Sequence, residues 1–248
     1  MGYDVEKIKP YNNEQSKKEQ VTNMFDSIAS KYDQLNGVLS LGIDNYWRKE
    51  ALRAIRKYRP KQILDIATGT GDFAILAQKM LSPDRITATD ISEGMMEIGK
   101  QKVLQSGLSN IIAFEYQDSS ELTYYDNTFD AVTISFGVRN FEHINKSFKE
   151  ILRVLKPGGV LIFIELSTPT KTPLKELYNT YSKYAMPIIA KALSTEQRAY
   201  EYLPESIAAF PQGREMMLIL KDNGFTNIRL RRLTMGITTM YIAEKATK

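Results

Sequence analysis

Three acids around a glycine turn carry the chemistry that stands out in this chain. The run Ile63-Leu-Asp-Ile-Ala-Thr-Gly-Thr-Gly-Asp-Phe-Ala74 is an apolar segment ending near Asp65, a turn holding Gly69, Thr70 and Gly71, and an amphipathic pattern starting at Asp72. About 20 residues past the turn, a second apolar run ends in another acid, Asp90. Strand, turn, helix and strand in that order form a grip for a nucleoside-containing cofactor. Gly69 and Gly71 let the backbone bend and approach a ligand with no Cβ in the way. Asp90, closing the second strand, is placed to accept hydrogen bonds from both ribose hydroxyls. Asp65 and Asp72 flank the turn, and two carboxylates repel a pyrophosphate, which seeks bare N–H groups at a helix start. They suit a cofactor carrying an amino group and a sulfonium.

The elements that position these residues can be read from periodicity. Residues 1–16 are polar and read as a flexible tail. Val21, Met24, Phe25, Ile28 and Ala29 predict a helix with one apolar face, and a second helix is expected from Asp44, its N-cap, to about Tyr58. These two helices precede the first strand and are expected to form a lid over the C-terminal edge of a sheet, so residues 1–60 divide from 61–248. Strands are expected at 62–67, 85–90, 111–116, 130–135 and 160–166, with helices at 72–81, 93–106 and 144–155, the last ended by Pro157-Gly-Gly159. That alternation implies an α/β fold with a parallel doubly wound sheet and ligands outside the strand C-termini. A helical, Tyr-rich insertion at 172–210 follows, then a helix at about 212–223 and a closing antiparallel hairpin from 225–233 and 237–245.

Composition narrows the chemistry further. The 248 residues contain no cysteine and one histidine, His143, which excludes disulfides, thiolate zinc sites and cysteine nucleophiles and disfavours a Ser-His-Asp triad. No metal is expected. The formal charge of +4 is mild, and no basic cluster with interleaved aromatics points to nucleic acid. No apolar run reaches the roughly 20 residues of a membrane span, and the start lacks a signal-peptide core. The expected location is the cytoplasm, with any membrane contact peripheral at the inner face.

Asp-x-Ala-x-Gly-Thr-Gly-Asp resembles the first motif of S-adenosylmethionine-dependent methyltransferases. Longer segments resemble one branch of them, the ubiquinone/menaquinone-biosynthesis C-methyltransferases. These are Met24-Phe-Asp-Ser-Ile-Ala-Ser-Lys-Tyr-Asp-Gln-Leu-Asn36, Trp47-Arg48, Ser135-Phe-Gly-Val-Arg-Asn140, Val154-Leu-Lys-Pro-Gly-Gly159, Glu165-Leu-Ser167, Tyr202-Leu-Pro-Glu-Ser-Ile207 and Thr234-Met-Gly-Ile237. The resemblance spans about residues 21–245. It implies a Rossmann-like, mostly parallel seven-stranded sheet and C-methylation of a polyprenylated quinol, converting demethylmenaquinol to menaquinol, with the ubiquinone-pathway benzoquinol as the sister substrate. Three departures stand out: Thr68 where the family often has Gly, Ala199-Tyr200 for a usual Ser-Tyr, and Met240-Tyr241 where a histidine is frequent.

The family's cofactor positions map onto Thr70, Asp90, the pair Asp118 and Ser119, and Ser135, beside Asp65, Gly69 and Gly71 from the loop itself. Asp118 ends the third strand, where a carboxylate can accept from an adenine amino group. For catalysis, Arg139 on the loop after the fourth strand is the leading candidate, a fixed cation beside the forming quinolate. Tyr32 and Asp33 are lid candidates, and Asp33 is the best conventional base among them. Tyr178, Tyr181, Tyr184, Met186, Pro187, Ile188 and Ile189 are expected to wall the quinol tail, with Lys175, Lys183 and Lys191 suited to anionic lipid. The partners expected are the quinol, a peripheral membrane contact and a second copy of the chain. A non-catalytic S-adenosylmethionine sensor and a nucleic-acid or protein methyltransferase are the competing readings.

Overall fold

The computed structural model describes residues 2–169, 172, 176, 180 and 197–247. Strand formation follows from alternation along each segment. In β1 (Gln62–Ile66) Ile63 enters one apolar layer while Leu64 and Ile66 enter the other, all buried. Ala131 opposes Val132 and Ile134 in the same way, and Leu161 and Phe163 oppose Ile162 and Ile164, so the central sheet is covered on both faces. The remaining strands are β2 (Arg85–Asp90), β3 (Ile112–Tyr116), β4 (Phe129–Ser135), β5 (Leu155–Leu166), β6 (Thr226–Leu233) and β7 (Thr238–Glu244). They form one seven-stranded sheet in the order β3-β2-β1-β4-β5-β7-β6. Pairing is parallel from β3 across to β5, and β7 runs antiparallel to both β5 and β6. Winding reverses between β1 and β4, where open α/β sheets hold ligands beyond the strand C-termini.

The described helices are α1 (Asp4–Lys7), α2 (Lys17–Ile28), α3 (Tyr32–Leu39), α4 (Ile43–Ile55), α5 (Asp72–Leu81), α6 (Glu93–Gln105), α7 (Ile144–Val154), α8 (Gln197–Ala209) and α9 (Arg214–Asp222). Leu52 and Ile55 of α4 and Phe73 and Ala77 of α5 pack on the Ile63 face, whereas Ile144, Phe148 and Ile151 of α7 pack on the Leu64 face. A third apolar cluster lies apart from the sheet: Val21, Met24 and Ile28 of α2 and Leu35 of α3 close on Ala199 and Tyr202 of α8. None of the described helices is long and apolar enough to cross a membrane.

Four expectations change. The polar start is not a loose tail, because Val5 is fully buried and Glu6 Oε1 accepts from the Ile144 N–H at 2.7 Å, capping α7 from outside. A third helix, α3 over residues 32–39, stands between the two expected ahead of the first strand. Asp44 is not an N-cap: Gly42, at φ 73°, holds that place, and α4 packs as a layer of the sheet with only its N-terminal turns facing the site. The helix α7 ends at Val154, and Leu155 already pairs with Phe129 ahead of a bulge, so Pro157-Gly-Gly159 lies within β5. Of the expected insertion, α8 is described, whereas Tyr178, Tyr181, Tyr184, Met186, Pro187, Ile188, Ile189, Lys175, Lys183 and Lys191 lie outside the described residues.

Candidate active site

The floor of the site is the meeting of the loops after β1 and β4. Ala67 and Phe136, the residues that follow these strands or nearly so, adopt φ of 53° and 61°, conformations that cost a residue with a side chain about 1–3 kcal/mol. A Cβ on Gly137 would stand 2.5 Å from the Ala67 Cβ, so the two loops approach as closely as glycine permits. Gly69 and Gly71 turn the first loop at φ of 56° and 78°, and a Cβ on Gly71 would meet Phe114 Cζ at 2.9 Å.

Above this floor lies a first cavity, partly open to solvent. Gly69, Asp90, Asp118, Ser119 and Ser135 all line it, brought together from four strand ends. Asp90 Oδ2 accepts from the Gly69 N–H at 2.7 Å, and Oδ1 accepts from Ile91 and Ser92 N–H at 2.8 and 3.0 Å. Burial pushes this carboxyl above its ordinary value, and the three N–H bonds only partly oppose it. A carboxylate has about four acceptor positions, so one remains open on Asp90. Asp118 Oδ2 pairs with Lys18 Nζ at 2.8 Å, and Oδ1 accepts from Ser120 N–H at 2.8 Å. Burial works against the Asp118 charge, but Lys18 and this N–H outweigh it and hold the carboxyl below the usual range. Ser119 Oγ and Ser147 Oγ lie 2.9 Å apart.

Three expected cofactor residues are placed beside the cavity rather than on its wall. Asp65, almost wholly buried, accepts from Thr68 Oγ1 at 2.6 Å and from Thr133 Oγ1 at 2.5 Å. Its carboxyl is pushed up to about 6 by burial, with the two hydroxyls opposing. It therefore props the turn from below, and Thr68 supplies a contact that glycine could not. Thr70 Oγ1 points to the lid, donating to Asp33 Oδ1 at 2.6 Å, and Gly71 serves as the N-cap of α5.

That contact also decides Asp33. Its other oxygen pairs with Lys102 Nζ at 2.5 Å, and Lys102 reaches Asp72 at 2.6 Å. Asp33 lines neither of the two cavities of the site, and its contacts join α3 to the glycine loop and α6. A parallel tie joins α2 to α6, where Asp26 Oδ1 accepts from Ser92 Oγ at 2.6 Å and Gly94 N–H at 3.0 Å. Lys18, Val21 and Phe25 of α2 and Tyr32 of α3 line the first cavity, whereas α4, the second of the two helices expected as a lid, contributes nothing to it.

A second cavity adjoins the first and shares Tyr32 and Phe136 with it. Leu39, Trp47, Leu166, Leu203 and Ile237 give it apolar walls, and Asp44, Arg48 and Arg139 are its charged members. Tyr32 is raised above its ordinary value by burial, only partly offset by Asn36, Arg139 and Arg48, so its phenol stays protonated and is a donor rather than a base. Arg139 is no free cation. Its Nη1 donates to Glu165 Oε1 at 2.7 Å and to the Phe136 carbonyl at 2.5 Å, while its backbone N–H donates to Glu165 Oε2 at 3.2 Å. Burial disfavours the guanidinium charge, and the Glu165 carboxylate more than restores it. Arg139 Nε is buried without a partner among the described residues.

The fold is shared with solved S-adenosylmethionine-dependent methyltransferases. One from Thermotoga maritima superposes with a TM-score of 0.62 at 18% identity, covering 90% of this chain and 99% of its own. A phosphoethanolamine N-methyltransferase from Haemonchus contortus, solved with S-adenosylhomocysteine, gives 0.60 at 16%, covering 89% and 60%. These likenesses speak for the fold. The profile of the ubiE/COQ5 methyltransferase family matches residues 13–245. The chain belongs to that family. A demethylmenaquinone methyltransferase of Bacteroides fragilis is 51% identical over 99% of this chain and 100% of its own length. Another from Porphyromonas gingivalis is 43% identical over 97% and 98%. A ubiquinone/menaquinone biosynthesis C-methyltransferase of Geotalea daltonii is 42% identical over 92% and 97%.

Sequence reasoning missed Lys18, Phe136, Asp44, Arg48 and Glu165 as members of the site. One signal was available: Ser16-Lys-Lys-Glu19 is a capping box, with Ser16 Oγ accepting from Glu19 N–H at 3.2 Å, and it starts α2 four residues before the apolar pattern does. Lys18 thereby falls on the lid helix.

Proposed function

We propose that this methyltransferase transfers a methyl group from S-adenosylmethionine to a ring carbon of demethylmenaquinol. The observation that carries the reading is the pair of adjoining cavities, one lined by Asp90, Asp118 and Ser135 at strand ends and one by Asp44, Trp47, Arg48 and Arg139 from helices and loops, with only Tyr32 and Phe136 on both walls. The names of the Bacteroides and Porphyromonas relatives support the acceptor.

The first cavity suits the cofactor on its own chemistry. The open acceptor position of Asp90 fits a ribose hydroxyl, and both hydroxyls are accommodated once the Gly69 N–H bond is released. Asp118 and Ser119 fit the adenine end, although Lys18 must yield the Asp118 Oδ2 it holds. Gly69 offers bare backbone. When bound, S-adenosylmethionine supplies an electrophilic sulfonium methyl. The chain contributes placement: Tyr32 and Phe136 hold the acceptor ring against the first cavity, which lowers the entropic cost of alignment. Arg139, tied to Glu165, fixes the turn at 138–140 and leaves its Nε for an oxygen of the acceptor. Trp47, Leu166 and Ile237 exclude water from the ring.

The prenyl tail also favours peripheral contact with the membrane. Val38 and Leu41, exposed at 39% and 80%, flank Leu39 and Ser40 of the second cavity's wall. Sedimentation with anionic liposomes is expected, and protein left wholly in the supernatant would remove that part of the reading.

The Geotalea relative's name covers both quinones, so the assay offers both. Purified protein is incubated anaerobically with methyl-labelled S-adenosylmethionine, a demethylmenaquinol and a demethylated benzoquinol in micelles. Label on the naphthoquinol is expected. Label on the benzoquinol alone would reassign the substrate, and label on neither, with cofactor bound, would favour a sensor.

A further inference from the structure

Methylating a quinol carbon requires removal of a proton from the neighbouring hydroxyl and a positive partner for the oxygen left behind. Asp33 and Tyr32 do not take the proton, since one is held by Thr70 and Lys102 and the other stays protonated, and Arg139 offers one N–H while its charge is matched by Glu165. A different pair lines the second cavity. Asp44 and Arg48 stand one turn apart on α4, with side chains 15% and 12% exposed, and Arg48 Nη1 donates to Asp44 Oδ2 at 2.6 Å. Asp44 Oδ1 accepts from Ser40 Oγ at 2.8 Å, which fixes the carboxylate. Arg48 Nε donates to Ser135 Oγ, a residue of the first cavity, at 3.2 Å. Its guanidinium carbon lies 5.9 Å from the ring centroid of Phe136, the residue both cavities share. Arg48 Nη2 has no hydrogen bond among the described residues, and Asp44 is the one carboxylate among the described residues lining this cavity.

Resting on the quinol reading above, we propose that Asp44 takes the acceptor's hydroxyl proton and Arg48 holds the oxyanion that results. The hydroxyl O–H bond breaks, its proton passes to Asp44, and the electron pair stays on oxygen. Neutral Asp44 then releases Arg48, so one ion pair is exchanged for another and no net charge is created in a site of low dielectric. The ring carbon gains the methyl, loses its own hydrogen as a proton, and the hydroxyl re-forms. Replacing ring C–H by C–CH3 frees one proton overall, and it leaves to solvent from Asp44.

Other charges face this pair from each side. Tyr32 of α3 and Arg139 of the turn after β4 share the cavity wall, and Asp72 of α5 stands 4.0 Å from Arg48. Asp72 is itself held by Lys102. The phenol is protonated and Arg139 is paired, which leaves Asp44 as the acceptor of the proton.

Two variants and two readouts test this. In Asp44→Asn, kcat for methyl transfer is expected to fall about 100- to 1,000-fold while the affinity for S-adenosylhomocysteine by calorimetry stays within about threefold. Its residual rate is expected to climb with pH across the range where the wild type is flat. In Arg48→Gln, 1-naphthol bound beside S-adenosylhomocysteine is expected to ionise, by its absorbance, at a pH about one unit or more above that of the wild-type complex. An Asp44→Asn enzyme within about fivefold of wild type, or an unmoved naphthol titration in Arg48→Gln, would overturn the assignment. Should Asp44→Asn fail to fold, the naphthol titration decides alone. A wild type that labels neither quinol is a failure of the substrate reading instead, and the naphthol spectrum still reports the pair.

Discussion

The two cavities meet at Tyr32 and Phe136 but are built on different principles. The first is a property of the sheet: its polar residues sit at the ends of β1, β2, β4 and just past β3, and backbone N–H groups aim its carboxylates. The second is assembled from helix turns and loops, Tyr32 and Asn36 from α3, Asp44 to Arg48 from α4, Arg139 from a short turn, Leu203 from α8 and Ile237 before β7. A binding function that depends on backbone geometry can be held by one contiguous loop. A chemistry that depends on side chains converging needs a whole tertiary arrangement. The same molecule therefore carries one site that the strand ends of the sheet align and one that side chains from separate helices and loops assemble.

Removing the buried partner of Arg139 should strike hardest at the second. Glu165→Ala leaves a buried guanidinium without its carboxylate and should destabilise the fold by about 3–5 kcal/mol, lowering Tm by roughly 6–20 °C. Calorimetric melting checks it, and an unchanged Tm would mean the pair is not what holds the turn at 138–140.

Asp90→Ala should act on the first cavity alone. Losing charge-assisted bonds worth about 1.5–3 kcal/mol should weaken S-adenosylhomocysteine about 10- to 100-fold in a calorimetric titration. Binding of a short-chain naphthoquinone should be untouched. Equal loss of both ligands would dissolve the distinction between the cavities.

This division also explains what could be read from the sequence. Gly69, Asp90, Asp118, Ser119 and Ser135 all line the first cavity. Asp118, Ser119 and Ser135 rested on the resemblance to the family, whereas the glycine loop and Asp90 were legible from the apolar runs before them. The closing hairpin and the order of strands and helices were legible for the same reason. Asp33 and Arg139 were found as residues of interest, but their partners, Lys102 and Glu165, are 69 and 26 positions away and set what each can do. Asp65 was given to the ligand, yet Thr68 and Thr133 take it. The N-terminal 16 residues looked like a tail because their anchors are remote: Tyr3 Oη donates to Asn145 at 3.0 Å, and buried Lys17 Nζ donates to the Val5 and Arg139 carbonyls at 2.6 and 2.9 Å.

Lys17 gives a smaller and pH-dependent test of how the lid is joined to the second cavity. Burial lowers its amine to about 7, against an ordinary 10.5. Between those values the unfolded chain binds the proton and the folded chain does not, so stability rises with pH through that window. The difference in unfolding free energy between wild type and Lys17→Met, from urea titrations, should shift in favour of wild type by a few kcal/mol from about pH 7 to 10. A flat difference would mean the amine is not desolvated.

The central claim is that the two cavities take two different ligands at once, and Trp47 reports on it directly. It is the single tryptophan of the chain, it lines the second cavity alone, and its ring stands edge-on to Phe136 at 6.0 Å. Titrating a short-chain demethylmenaquinone analogue into protein saturated with S-adenosylhomocysteine should quench Trp47 fluorescence to a plateau without releasing the nucleoside. Quenching that is lost when S-adenosylhomocysteine is bound would place both ligands in one cavity and contradict the account.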